Sequence, residues 1–279
     1  MAMTSSKSIL ITGCSSGIGL YVAHGLKARG YRVFATARKP EDVARLAAEG
    51  FEAYRLDLAD SHSIREAFGQ VLEASGGELY ALFNNGAFGQ PGAVEDLRRE
   101  VLREQFETNL FGTHELTCLA IPVMRRQGYG RIIQNSSILG FAAMAYRGAY
   151  NASKYALEGL SDTLRLELAG SGVYVSLVEP GPILSRFREN SLALYRQHID
   201  PDSSCHRETY LKLAARLEKE GAAVPFTLGP EAVLDKVVRA LEAKRPKARY
   251  YVTFPTHLFG ALKRLLPDRA LDWVLRRVG

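Results

Sequence analysis

The sequence predicts an α/β fold: a doubly wound parallel sheet with helices on both faces, forming a single domain over residues 1–279. From Ser8 to Val178, short apolar runs alternate with segments of helical period. That pattern marks strands buried on both faces. No linker, low-complexity segment or internal repeat divides the chain. Apolar residues make up 47% of it and are spread evenly, which suffices for a sizeable core.

In chain order, Ser8 to Thr12 reads as a buried strand ending at Gly13, and Ile18 to Arg29 as a helix stopped by Gly30. Arg32 to Thr36 is a strand, Glu41 to Glu49 a helix, and Phe51 to Leu56 a strand. Ser63 to Ala74 is helical, with Ser61 the better candidate for its cap. Leu79 to Phe83 is the fourth strand. Leu97 to Arg126 is one long helical stretch, with a bend expected before Pro122. Arg131 to Asn135 is a strand, Ala149 to Ala169 a helix, and Val173 to Val178 a strand. The expected core therefore spans 8–181.

Pro182 to Pro230 breaks the rhythm. It is long and polar, with helical pieces such as Glu208 to Lys219, and is expected to form a substrate lid. In 231–279, Glu231 to Lys244 is helical and Arg249 to Thr253 is a last strand. His257 to Val278 is basic and amphipathic, interrupted at Pro267. It is read as packing on its own domain or on a subunit partner. Contact with a membrane surface is the alternative.

Several classes are set aside. The formal charge is +6, but it is mixed along the chain outside the C-terminal segment. No basic stretch is interleaved with aromatics, so nucleic-acid binding is not expected and an anionic ligand is preferred. Cys14, Cys118 and Cys205 are odd in number and scattered, which fits a reducing cytoplasm rather than a disulfide framework. The six histidines show no ligand spacing, so no metal is expected. There is no run of 18 apolar residues, and Met1 to Lys7 is polar and lacks a secretory apolar region.

Gly13, Ser15, Ser16, Gly17, Ile18 and Gly19 lie between the first strand and the first helix. A helix N-terminus offers unpaired N–H groups to phosphate, and glycine lets the backbone approach closely. The spacing T-G-x-x-x-G-x-G resembles the short-chain dehydrogenase/reductase superfamily, and the resemblance runs through nearly the whole chain. It implies a Rossmann-type fold and a nicotinamide dinucleotide.

The second strand ends in Thr36-Ala37-Arg38-Lys39, where an NAD enzyme usually has an acid. Arg38 suits a 2′-phosphate, and the pattern implies NADP; a solvated surface arginine is the alternative. By resemblance, Asp57 and Leu58 lie by the adenine, with a loop Asp57 capping the next helix as the alternative, and Asn85 and Gly86 support the nicotinamide-side ribose. In Asn84-Asn85-Gly86-Ala87 the family's Ala-Gly order is exchanged, so Ala87 is expected to be strained if the position needs a positive φ. Pro180, Gly181, Ile183 and Ser185 match the family's turn beside the nicotinamide.

Tyr150 and Lys154 share one helix face at i and i+4. A nearby ammonium lowers the phenol pKa from ~10 and so eases proton transfer to a carbonyl oxygen. Ser137, at the end of the fifth strand, is placed to polarise that carbonyl. Asn109 either completes a water relay to Lys154, as the resemblance implies, or bends its helix.

The expected reaction is NADPH-dependent reduction of an apolar aldehyde or ketone. The chain resembles bacterial aldehyde reductases and, more distantly, hydroxysteroid and retinol dehydrogenases. Oxidation of such alcohols, or non-catalytic NADP sensing, are the alternatives. Ile138, Phe141, Met144, Tyr146, Phe187, Leu192, Leu194 and Tyr195 are read either as pocket lining or as core. A homodimer or homotetramer is implied.

Overall fold

The computed structural model describes residues 7–278; the polar opening segment Met1 to Ser6 lies outside them. Seven parallel strands form one sheet in the order β3-β2-β1-β4-β5-β6-β7. They are β1 (Ser8–Ile11), β2 (Arg32–Ala37), β3 (Glu52–Arg55), β4 (Ala81–Asn84), β5 (Gly130–Asn135), β6 (Val173–Glu179) and β7 (Arg249–Tyr251).

Strand alternation splits the core into two layers. Ile9 and Ile11 of β1 face α1 (Gly17–Lys27) and α9 (Glu231–Glu242), meeting Val22, Leu26, Val233 and Val237. Leu10 faces the other way, onto α3 (Ser61–Ser75) and α5 (Thr113–Gln127), against Ile64, Phe68, Leu116 and Val123. Each layer excludes water from one sheet face, which is why the strands read as unbroken apolar runs. The remaining helices of the core are α2 (Pro40–Ala48), α4 (Arg99–Phe106) and α6 (Gly148–Glu167). The strand order reverses between β1 and β4, so a crevice opens at the C-terminal ends of these strands, where ligands bind in such sheets.

Three details differ from the sequence reading. Asp60, not Ser61, caps α3, accepting a hydrogen bond from the His62 amide at 2.9 Å. The long fourth helix carries Pro122 inside α5 and is interrupted instead by a π-helical turn, Glu107–Gly112. The turn is anchored by Asn109 and by Gly112, which packs so tightly on the Leu58 main chain that a Cβ there would collide with the Leu58 carbonyl. The insertion holds two helices, α7 (Phe187–His198) and α8 (Arg207–Glu218). Tyr195, Ile199, Tyr210 and Leu217 form their own apolar cluster with Ala93.

The C-terminal segment forms α10 (Phe254–Leu265) and α11 (Asp268–Val278), parted at Pro267 as expected. Phe259, Leu262, Val274 and Leu275 pack against Ile138 and Leu139, so its apolar face covers its own domain.

Candidate functional site

The loop between β1 and α1 is built to receive an anion. Gly13 and Gly17 have φ of 71° and 58°, open to glycine without strain. Ser16 stands at the N-cap of α1 but makes no side-chain cap hydrogen bond, so the first amides of the helix remain available. Thr12, buried behind the loop, accepts hydrogen bonds from the Asn85 and Gly86 amides, both at 2.9 Å. The Asn85 side chain donates to the Thr12 and Gly13 carbonyls at 2.9 and 3.2 Å and accepts from Asn135 at 2.9 Å. Gly19 is held so close that a Cβ there would collide with the Gly13 carbonyl oxygen and the Asn85 amide. A rigid cradle of this kind fits a dinucleotide pyrophosphate.

The Gly86–Ala87 exchange leaves no strain. Among the described residues, only Tyr146 and Phe226 have a positive φ without being glycine, so Ala87 stays in an ordinary conformation. What the site requires is smallness at position 86, where a Cβ would come within 2.9 Å of Leu58 Cδ1.

Arg38 lies exposed at the end of β2. No acid neighbours it along the strand end, and Glu41 sits 3.7 Å from Lys39 instead. Asp57 caps its own turn, accepting from the Ala59 amide at 3.0 Å, and Leu58 is buried against Gly86 and the π-turn. Neither Arg38, Asp57 nor Leu58 lines the cavity that holds the phosphate loop.

The catalytic candidates converge. A cavity of about 640 Å³ is lined by the phosphate loop at one end and by Ser137, Tyr150 and Lys154 further in, with Pro180, Gly181, Ile183 and Ser185 along one wall. Ser185 packs over Gly17, and the Pro180 carbonyl accepts from the Ile138 amide at 2.8 Å. Ser137 accepts from the Leu139 amide at 3.1 Å and stands beside the Tyr150 phenol, which it lowers, while Ser136 points away towards Glu158.

The Lys154 ammonium donates to the Asn135 carbonyl at 2.7 Å and lies 5.7 Å from the centre of the Tyr150 ring. Burial pushes it down to about 8, against the pull of Glu158. Burial likewise pushes the Tyr150 phenol up to about 12, outweighing Ser137 and Arg147, which lower it. The net shift of the phenol is therefore upward, against the lowering expected from a nearby ammonium, because desolvation outweighs it.

Asn109 is buried and its amide is fully engaged. It accepts from the Phe88 amide at 3.1 Å and donates to the Phe88 carbonyl at 2.9 Å and to Ser153 at 3.2 Å. Its side chain thus anchors the π-turn and does not reach Lys154.

Of the apolar candidates, Ile138, Met144 and Phe187 line the cavity, with Phe187 edge-on to Tyr150 at 5.3 Å between ring centroids. Phe141, Tyr146, Leu192, Leu194 and Tyr195 do not line it, and Leu192, Tyr195 and Tyr146 pack into the cluster around Tyr210 instead. The sequence reading missed Leu184, Phe226, Phe254, Leu258 and Arg147, contributed from distant segments. It also missed Thr12 and Asn135 as organisers, although buried polar residues at strand ends were a readable signal.

The α7–α8 insertion contributes Phe187, Arg188, Asn190, Arg216 and Leu217 to the wall of this cavity and is fastened to the segment after β4. His198 bonds Gln90 at 2.8 Å, Ser204 bonds Asp96 at 2.7 Å, and the Tyr210 hydroxyl bonds Asp96 and accepts from the Ala93 amide. Glu95, Cys205 and His206 gather there with ligand atoms within 4.8 Å of one another. His206 and Glu95 pair directly at 2.5 Å, which accounts for the gathering without an ion.

Residues 7–194 match the family model described as short chain dehydrogenase. The chain is 45% identical over 270 residues to the uncharacterized oxidoreductase YbbO of Escherichia coli (strain K12), covering 97% of this chain and 94% of that protein. It is 33% identical over 272 residues to an NADPH-dependent 3-dehydrocapnine reductase of Ornithobacterium rhinotracheale, covering 94% of each. A crystal structure of a short-chain dehydrogenase from Streptomyces avermitilis superposes with a TM-score of 0.78 at 28% identity, over 99% of this chain and 98% of that one.

Proposed function

The chain belongs to the short-chain dehydrogenase/reductase family, and on that premise we propose that it is an NADP-dependent oxidoreductase reducing an apolar aldehyde or ketone to the alcohol. One observation carries the reading: Ser137, Tyr150 and Lys154 meet in the same cavity as an uncapped helix N-terminus. A bound nicotinamide dinucleotide supplies the hydride. Ser137 and Tyr150 hold the carbonyl oxygen, and the phenol proton passes to it. The Lys154 ammonium stabilises the phenolate that remains, and Asn109 acts as a positioning residue through the π-turn. A phenol held up at about 12 is protonated at neutral pH, as reduction requires. The opposite direction, alcohol oxidation of the hydroxysteroid or retinol kind, needs the phenolate and is less well served. The sensing alternative rested on strain at Ala87, which is absent.

The test follows absorbance of NADPH and NADH with aliphatic, aromatic and steroid carbonyls. Turnover with NADPH supports the reading; tight NADPH binding without turnover across the panel overturns it.

The preference for NADP rests on Arg38. Charge-assisted hydrogen bonds contribute ~1.5–3 kcal/mol. Arg38→Asp is therefore expected to raise KM for NADPH roughly 10- to 100-fold, while KM for NADH stays level or falls. Equal effects on both cofactors would remove Arg38 from the 2′-phosphate.

The wider setting is proposed in the same way. Segment 182–230 serves as the substrate lid. Exposed Phe111, Tyr155 and Leu166 on the fourth and fifth helical stretches and α6 offer faces for a homodimer or homotetramer. Three free cysteines suit a reducing cytoplasm. Among the described residues no helix is long and apolar enough to cross a membrane. Exposed Leu265 and Trp273, flanked by Lys263, Arg264, Arg276 and Arg277, leave a peripheral membrane contact open to test. Co-sedimentation with anionic liposomes at low salt would support that contact, and protein left in the supernatant would remove it.

A further inference from the structure

The cavity wall carries four arginines and Lys154 but no aspartate or glutamate. Two of the arginines are accounted for. Arg186 pairs with Glu189 at 2.9 Å, and Arg188 donates to the Lys219 and Gly221 carbonyls. Arg147 and Arg216 are not: among the described residues, neither guanidinium makes an ion pair or a hydrogen bond. Arg147 stands three residues before Tyr150, at the N-terminus of α6, and Arg216 comes from lid helix α8.

A half-buried cation without a partner is costly, and a second cation nearby adds to the cost. Here burial and the neighbouring Arg216 together push Arg147 down to about 10. Such an arrangement is relieved by an anion placed between the two. Away from the arginines the cavity becomes apolar. Phe226 holds a left-handed φ of 61°, a strained conformation for a bulky side chain, and its ring lies against Phe254 at 5.0 Å between centroids. With Leu184 and Leu258, these two rings line an outlet in which all four side chains are partly exposed.

We propose that Arg147 and Arg216 form a substrate-anion subsite. The compound reduced is then an amphiphile with a carboxylate, sulfonate or phosphate a few bonds from its carbonyl and an apolar chain running out past Phe226 and Phe254. This rests on the carbonyl-reductase reading above and narrows it. Bidentate guanidinium contacts fix such a head group one helical turn from Tyr150, so the carbonyl falls at the phenol.

The experiment compares kcat/KM for long-chain ketones bearing each of the three anionic head groups with that for a neutral ketone of the same length. The wild-type enzyme is expected to favour at least one anionic member by 10-fold or more, and the preferred head group identifies the anion. In Arg147→Gln and Arg216→Gln that ratio falls towards one, mainly through KM, and Arg147→Lys restores part of it. A wild-type ratio near one, or a ratio unchanged in both variants, overturns the subsite. So does a variant whose loss lies in NADPH affinity, because the arginines would then serve the cofactor.

Thermal shift by the corresponding anionic alcohol, recorded with NADPH present, separates the two readings. A shift in the wild type that is lost in Arg147→Gln supports the subsite even if no carbonyl is turned over. Turnover of neutral ketones without any such shift leaves the reductase reading standing and ends this one.

Discussion

Replacing Tyr150 with phenylalanine is expected to lower kcat for carbonyl reduction by about 10²–10⁴-fold, the usual contribution of a placed proton donor. Fold and NADPH affinity should be nearly unchanged. The phenol hydroxyl faces Ser137, while its ring is packed against Phe187 and lies near the Lys154 ammonium. Phenylalanine keeps that packing. Single-turnover rates separate the outcomes: a variant that binds NADPH normally but stalls at the chemical step supports the assignment. A variant that turns over within a few-fold of wild type removes Tyr150 from proton transfer.

The same site predicts a pH profile. Lys154 is charged below about 8 and loses its proton above it. The charge that stabilises the phenolate disappears with that proton. Reduction should therefore hold steady from neutral pH to about 8 and fall beyond, and the alkaline limb should vanish, at a low overall rate, in Lys154→Met. Persistence of the limb in that variant would assign it elsewhere.

Sequence patterning made the sheet and most of its helices legible because the central strands β1, β2, β4, β5 and β6 are buried on both faces. The phosphate loop and the Ser137, Tyr150, Lys154 set were legible because they occupy strand ends and a helix face at fixed spacing. What escaped depends on contacts between distant segments. The π-turn is fixed by the Leu58 main chain and the Phe88 loop, which leave no periodic signature around Asn109. The direction of the Tyr150 shift escaped because i, i+4 spacing says that two groups share a face, not how far burial desolvates the phenol. Helix α7 was hidden by its polar composition, since its few apolar residues bury against Tyr210 rather than the sheet. Arg147 looked like one arginine among many until the cavity around it proved to hold no acid.

The largest stability effect is expected at Arg249, on the last strand. Its guanidinium lies 2.9 Å from Glu158, 2.6 Å from Asp162 and 3.1 Å from Glu179, which is fully buried. Three acids share one arginine, so one of them is better off neutral. Burial and the facing Glu158 push Glu179 up to about 9, and Glu158 is itself raised by burial, while Arg249 holds Asp162 below its usual range. The cluster ties β6 and its cofactor-side turn to α6, one helical turn past Lys154.

Removing one member of a buried ion network typically costs about 3–5 kcal/mol because it strands the remaining charges. Arg249→Met should therefore lower Tm on the order of 10 °C at pH 7.5. The sign with pH follows from the acids. In the variant the folded-state pKa values of Glu158 and Glu179 rise further above the unfolded ones, so the native state binds more protons and its stability falls as pH rises. At pH 5 the same acids are largely protonated, and the deficit relative to wild type should shrink. Glu179→Gln mimics the neutral acid, so alone it should change Tm little, and in the Arg249→Met background it should recover part of the loss. A deficit equal at pH 5 and pH 8, with no recovery from Glu179→Gln, would show that Arg249 acts by packing and not by charge.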